Sequence, residues 1–150
     1  MDYYLLRVRS SKETAMFATT ADYKRCLLML ACLKNEYQFD IRGFCLMPDY
    51  LKLVISLDHC EINKELAVLN KDDQLFAWKK ILSIFPKAMP VKGQCIRIAD
   101  RRRLADVLKY IEYEPVRAGI VNTAREYQYC SAYSYLSNPG GVRVLNLQKE

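Results

Sequence analysis

The stretch Ile41-Arg42-Gly43-Phe44-Cys45-Leu46-Met47-Pro48-Asp49-Tyr50-Leu51-Lys52-Leu53-Val54-Ile55-Ser56-Leu57 decides how the rest of the chain is read. Two apolar runs of strand length flank Pro48-Asp49, a pair suited to a tight reversal. In the second run Leu51, Leu53, Ile55 and Leu57 recur at every second residue, which is the strand period, so all four point the same way. Tyr50, Lys52, Val54 and Ser56 take the opposite face. The stretch therefore reads as a β-hairpin with one continuous apolar face.

Upstream, Tyr4, Leu6 and Val8 alternate with Leu5, Arg7 and Arg9, which predicts a strand from Tyr3 to Arg9. Thr19, Thr20 and Asp22 then offer N-cap oxygens to a helix that carries Leu27, Leu30 and Ala31 on one face and runs to about Tyr37. Downstream, Ile62 to Phe85 is helical in character, with Leu66, Leu69, Leu75, Trp78, Ile81 and Leu82, interrupted at Asn70-Lys71-Asp72-Asp73 and ended by Pro86 and Pro90. A short strand from Cys95 to Ile98 precedes a helix from Arg101 to about Tyr113, in which Leu104, Val107, Leu108 and Ile111 form one stripe. Pro115 stops that helix. Tyr127 to Leu136 reads as a docking helix or turn.

The resulting β-α-β-β-α-β order predicts an α+β fold of ferredoxin-like type, an antiparallel sheet with helices packed on one face. At 150 residues, 51% hydrophobic and 27% charged, the chain suits one folded domain, taken as residues 1–136. Residues 137–150, with Asn138-Pro139-Gly140-Gly141, read as a loose C-terminal tail.

No apolar run approaches 18 residues, so no membrane partner is expected. The six cysteines include no C-x-x-C pair, and the N-terminus shows no charged-then-apolar leader; both point to reduced thiols in the cytoplasm. Lys and Arg outnumber Asp and Glu by 23 to 17, and the excess is concentrated. Between Lys79 and Lys109 nine basic residues face only Asp100 and Asp106, a local charge of +7 that attracts phosphate backbones.

Two segments carry more than fold. Cys45-Leu46-Met47-Pro48-Asp49-Tyr50-Leu51-Lys52-Leu53-Val54 and Tyr110-Ile111-Glu112-Tyr113-Glu114-Pro115-Val116-Arg117-Ala118-Gly119-Ile120-Val121 resemble the two signature segments of REP-associated tyrosine transposases, single-tyrosine enzymes of the IS200-like superfamily. In that family a Met-Pro-Asn/Asp turn leads into a His-hydrophobic-His strand. A later Tyr-Ile-x-x-Asn-Pro-Val-Arg-Ala-Gly run holds the nucleophilic tyrosine. Glu126-Tyr127, Ser131 and Tyr135-Leu136 resemble a third family region, with Gln128 and Tyr129 where Pro and Trp are usual. The likeness spans residues 3–136 and is weakest over 62–92.

The resemblance implies single-strand DNA cleavage, in which two histidines and a third polar group hold a divalent metal beside the phosphate that tyrosine attacks. A free phenol, with a pKa of about 10, needs such help. Here the histidine positions carry Tyr50 and Lys52, a phenol and an ammonium that has no lone pair to give a metal. His59 lies seven residues beyond Lys52 and cannot rebuild the pair. Tyr110 matches the nucleophile, off the apolar stripe of its helix, and is read as vestigial.

The sequence leaves three functions open. One is a transposase-like protein that binds single-stranded or hairpin DNA, with RNA as an alternative ligand, and does not cut it. Lys52, Arg97, Arg101, Arg102, Arg103, Lys109 and Arg117 are its candidate nucleic-acid contacts, and no cofactor is required. A second is an active enzyme with a metal site for Mg2+ or Mn2+ rebuilt from Asp49, Asp106 or Glu114; Asp106 and Glu114 are otherwise helix-surface acids balancing Arg102, Arg103 and Lys109. A third is an interaction module that no longer binds nucleic acid. Monomer and homodimer are both compatible with the sequence.

Overall fold

A computed structural model describes residues 2–10, 15–57, 81–85 and 91–136. His59, most of the helical stretch expected over 62–85, Pro86 and Pro90, and the expected tail fall outside the described residues. Four strands, β1 (Asp2–Ser10), β2 (Asp40–Met47), β3 (Tyr50–Leu57) and β4 (Val91–Ile98), form one sheet in the order β2-β3-β1-β4, every pairing antiparallel. Helix α1 (Thr20–Tyr37) connects β1 to β2, which lie on either side of β3. This is the expected α+β sheet.

The register follows from the alternation read in the sequence. Leu6 of β1 stands opposite Leu53 of β3 and Cys95 of β4. Tyr4, Leu6, Val8, Leu51, Leu53, Ile55 and Leu57 therefore share one face, and Leu27, Leu30 and Ala31 of α1 close over it together with Ile81 and Ile84. Burying side chains of this size stabilises a fold by about 1.5–3 kcal/mol each. Helix α1 starts at Thr19, whose hydroxyl accepts from Asp22 N (3.2 Å), while Asp22 Oδ2 accepts from Thr19 N (3.0 Å). Of the N-cap oxygens expected from Thr19, Thr20 and Asp22, Thr19 supplies the cap and Asp22 completes it reciprocally.

A further layer lies on the second face. Helix α2 (Arg101–Glu112), capped by Asp100, sets Leu104, Val107, Leu108 and Ile111 against Tyr3, Leu5, Val54 and Ile98. Close approach needs Gly43, where a Cβ would stand 2.5 Å from Leu108 Cδ2. After α2 the chain passes Tyr113 and makes a single turn, α3 (Glu114–Arg117), with Pro115 in its first turn where the missing N–H costs nothing. The expected docking segment becomes α4 (Ser131–Leu136) and the chain leading to it. Tyr127 donates to Leu46 O (2.6 Å), Leu46 N donates to Tyr129 O (2.8 Å), and Cys45 and Cys130 face each other, so this segment covers the open edge of β2.

One boundary differs from expectation. Strand β4 begins at Val91, four residues before Cys95. Lys92, Gly93 and Gln94 give no hydrophobic alternation, yet they complete the ladder opposite Arg9, Val8 and Arg7.

Candidate nucleic-acid interface

Three strands change character at the same row. On the face that carries α2, β1 reads Tyr3, Leu5, Arg7, Arg9; β3 reads Ser56, Val54, Lys52, Tyr50; β4 reads Ile98, Ile96, Gln94, Lys92. The register aligns Arg7 with both Lys52 and Gln94, and Arg9 with both Tyr50 and Lys92. Helix α2 covers the apolar half. The polar half remains as an open groove of about 1140 Å3, floored by Arg7, Arg9, Lys52 and Lys92 and walled by Tyr110 and Glu114. Arg7 donates to Gln94 Oε1 at 2.6 Å, and its buried Nε has no hydrogen-bond partner among the described residues.

At the inner end of the groove Glu114 gathers three side chains. Tyr50 OH donates to Oε2 (2.6 Å), Lys52 Nζ forms an ion pair with Oε1, and Arg117 reaches the same Oε1 at 3.3 Å. The side chains of Lys52 and Glu114 are only 16% and 12% exposed, so this is a largely enclosed pair. Burial opposes the charge on Glu114, but the hydrogen bonds from Lys52 and Tyr50 outweigh it and hold the carboxyl below its usual range. Burial, and then the hydrogen bond to that carboxylate, push the Tyr50 phenol up. Tyr50 is thereby fixed as a protonated donor.

This arrangement does not fit a divalent metal. Tyr50 keeps its proton, Lys52 brings a positive charge without a lone pair, and both Glu114 oxygens are already used. Asp106 is exposed on α2, and no group of three His, Cys, Asp or Glu side chains capable of holding a metal gathers among the described residues. Glu114 also departs from the expectation that it balances Arg102, Arg103 and Lys109. It faces the sheet instead, because the break at Tyr113 turns α3 toward β2 and β3.

Of the residues singled out in the sequence, Tyr50, Lys52, Tyr110, Glu114 and Arg117 come together. Tyr110 is 59% exposed; the Arg117 guanidinium lies 3.8 Å from its ring centroid and Lys52 Nζ 5.5 Å. Lys109 is exposed beside it. Arg97 is elsewhere: it pairs with Tyr4 across the ladder, on the opposite sheet face, and bonds Asp2 at 2.8 Å. Arg101, Arg102 and Arg103 form the first turn of α2, and a rise of ~1.5 Å per residue sets Arg101 about 14 Å from Tyr110. The described cations of the +7 segment are thus divided among three places.

Arg7, Arg9, Lys92 and Gln94 were not singled out in the sequence. Their signal was the change from apolar to polar along one face of β1 and β4, visible only once the two strands are in register.

No protein-family model and no curated protein matches the sequence. Among solved structures, a REP-associated tyrosine transposase bound to a REP hairpin superposes with a TM-score of 0.70 at 14% identity, covering 92% of this chain and 81% of that one. The likeness establishes a shared fold.

Proposed function

We propose that this chain is a divergent relative of the REP-associated tyrosine transposases that binds single-stranded or hairpin DNA in the groove and does not cut it. The observation that carries this reading is the Lys52–Glu114 pair with its Tyr50 hydrogen bond. It occupies the two positions, Tyr50 and Lys52, where the sequence resemblance places metal-binding histidines, and ties both to Glu114. A fixed ammonium stands where a divalent cation would have been held, and Glu114 neutralises it.

The binding half rests on the groove. Arg7, Arg9 and Lys92 line its floor against Asp49 and the already paired Glu114. Such a floor neutralises backbone phosphates, whereas the lost metal removes the means of activating Tyr110. The superposed transposase is bound to a hairpin, which makes a hairpin with single-stranded flanks the natural first ligand. Among the described residues no helix is long and apolar enough to cross a membrane, and none of the cysteines is in a disulfide, which supports a cytoplasmic setting.

Fluorescence anisotropy with a labelled hairpin, titrated at several salt concentrations, tests the reading. Binding that weakens steeply with salt and is reduced by Arg7→Glu and Lys92→Glu is expected. No binding at low salt would transfer the function to a protein partner.

A further inference from the structure

We propose that the free face of the Tyr110 ring is a stacking platform for one unpaired nucleobase of the bound strand. The inference rests on the nucleic-acid reading above and gives Tyr110 a role within it that needs no chemistry at its hydroxyl.

The geometry begins with the two cations beside the ring. Arg117 lies 3.8 Å and Lys52 5.5 Å from the centroid, and both reach the same oxygen of Glu114. Cations on opposite faces of an aromatic ring are held too far apart to share one carboxylate oxygen. They therefore lie on one face, and the other contributes to the 59% exposure of Tyr110. Arg117 is itself tied down, donating to the Tyr110 carbonyl oxygen at 2.8 Å as well as to Glu114. The ring is thus backed by a fixed guanidinium on one side and, among the described residues, open on the other.

Its hydroxyl makes no hydrogen bond among the described residues, whereas the phenols of Tyr50 and Tyr127 are each anchored at 2.6 Å. The exposed part of Tyr110 is therefore available as aromatic surface. It stands on the wall of the groove whose floor carries Arg7, Arg9 and Lys92. A strand whose phosphates follow that floor brings its bases to the level of the wall. Stacking of bases on aromatic side chains tolerates any sequence, and a purine covers more of the ring than a pyrimidine.

The test uses the full chain and a DNA hairpin with single-stranded flanks, in which 2-aminopurine replaces one flank base at a time. Anisotropy reports binding, and 2-aminopurine emission reports stacking. The wild type is expected to quench emission at one flank position. Tyr110→Phe keeps both affinity and quenching, because the ring remains. Tyr110→Ala loses the quench and binds about tenfold more weakly, with circular dichroism and thermal melting unchanged because the residue is exposed. Binding without quenching at any position, or Tyr110→Ala indistinguishable from wild type, overturns the stacking role while leaving the groove intact. Absence of binding by the wild type overturns the nucleic-acid reading and this inference with it. Loss of binding in Tyr110→Phe assigns the contact to the hydroxyl and overturns it as well.

Discussion

Replacing Lys52 by Met removes the ammonium and keeps most of the volume, leaving Glu114 with Tyr50 and Arg117 alone. An exposed ion pair contributes about 0–1 kcal/mol, and breaking a fully buried one by removing one partner costs about 3–5 kcal/mol. At 16% and 12% side-chain exposure this pair falls between those limits, so a loss of about 2 kcal/mol is expected. For a domain of this size that lowers Tm by roughly 4–8 °C. The sign with pH follows from Glu114. Its carboxyl lies below the unfolded value, so its stabilisation is present above the unfolded pKa and is lost as pH falls through the folded one. Urea unfolding of wild type, Lys52→Met, Glu114→Gln and the double variant, at neutral pH and on the acid side, measures all of this. The single changes are expected to be non-additive by about 1 kcal/mol or more, and Lys52→Met should flatten the acid limb. Full additivity, or a Lys52→Met protein as stable as wild type, would refute the idea that the two charges form one enclosed unit.

Four other outcomes follow from the same geometry. A Tyr50→His/Lys52→His double variant, which removes the ammonium and restores two imidazoles beside Glu114, should show a Tm that rises with added Mn2+, while the wild type does not respond. Charge reversal at Arg7, Arg9 and Lys92 should flatten the salt dependence of single-strand binding by about 0.7 per lost phosphate contact; the same reversal at Arg101, Arg102 and Arg103 reports separately on the far end of α2. Gly43→Ala should destabilise the protein by about 1–3 kcal/mol in urea, since the new methyl meets Leu108. Alkylation followed by peptide mass mapping should modify exposed Cys32 well before Cys26, whose thiol burial pushes up to about 12.

The hairpin, α1 and the buried stripe of α2 were legible because each depends on one local rule. Leu51 to Leu57 obey the strand period, Thr19 and Asp22 form a cap, and Leu104 to Ile111 obey the helix period. The start of β4 was not, because Lys92 and Gln94 are exposed in the lining of the groove and leave no apolar alternation to read. The site divides the same way. Tyr50, Lys52, Tyr110, Glu114 and Arg117 stood out through their resemblance to known motifs, but the pairing of Glu114 with Tyr50 and Lys52 did not. As a helix-surface acid Glu114 is expected beside Asp106, whereas in the structure it follows the break at Tyr113 and meets Tyr50 and Lys52 of β3. Arg97 lies on the other face of β4 from Lys92 and Gln94, because side chains alternate along a strand. Charge density along the sequence registers how many cations are near one another, and pairing register decides which of them share a surface.

The central claim is that a fixed cation has replaced a metal and left binding without cleavage. The most direct measurement is a denaturing and a native gel of the same reaction: end-labelled hairpin DNA with single-stranded flanks, incubated with the protein in EDTA, Mg2+ or Mn2+. The account predicts a mobility shift that needs no metal, an intact strand in all three, and no covalent protein–DNA adduct. A strand cut only with metal, with an adduct that disappears in Tyr110→Phe, would contradict it.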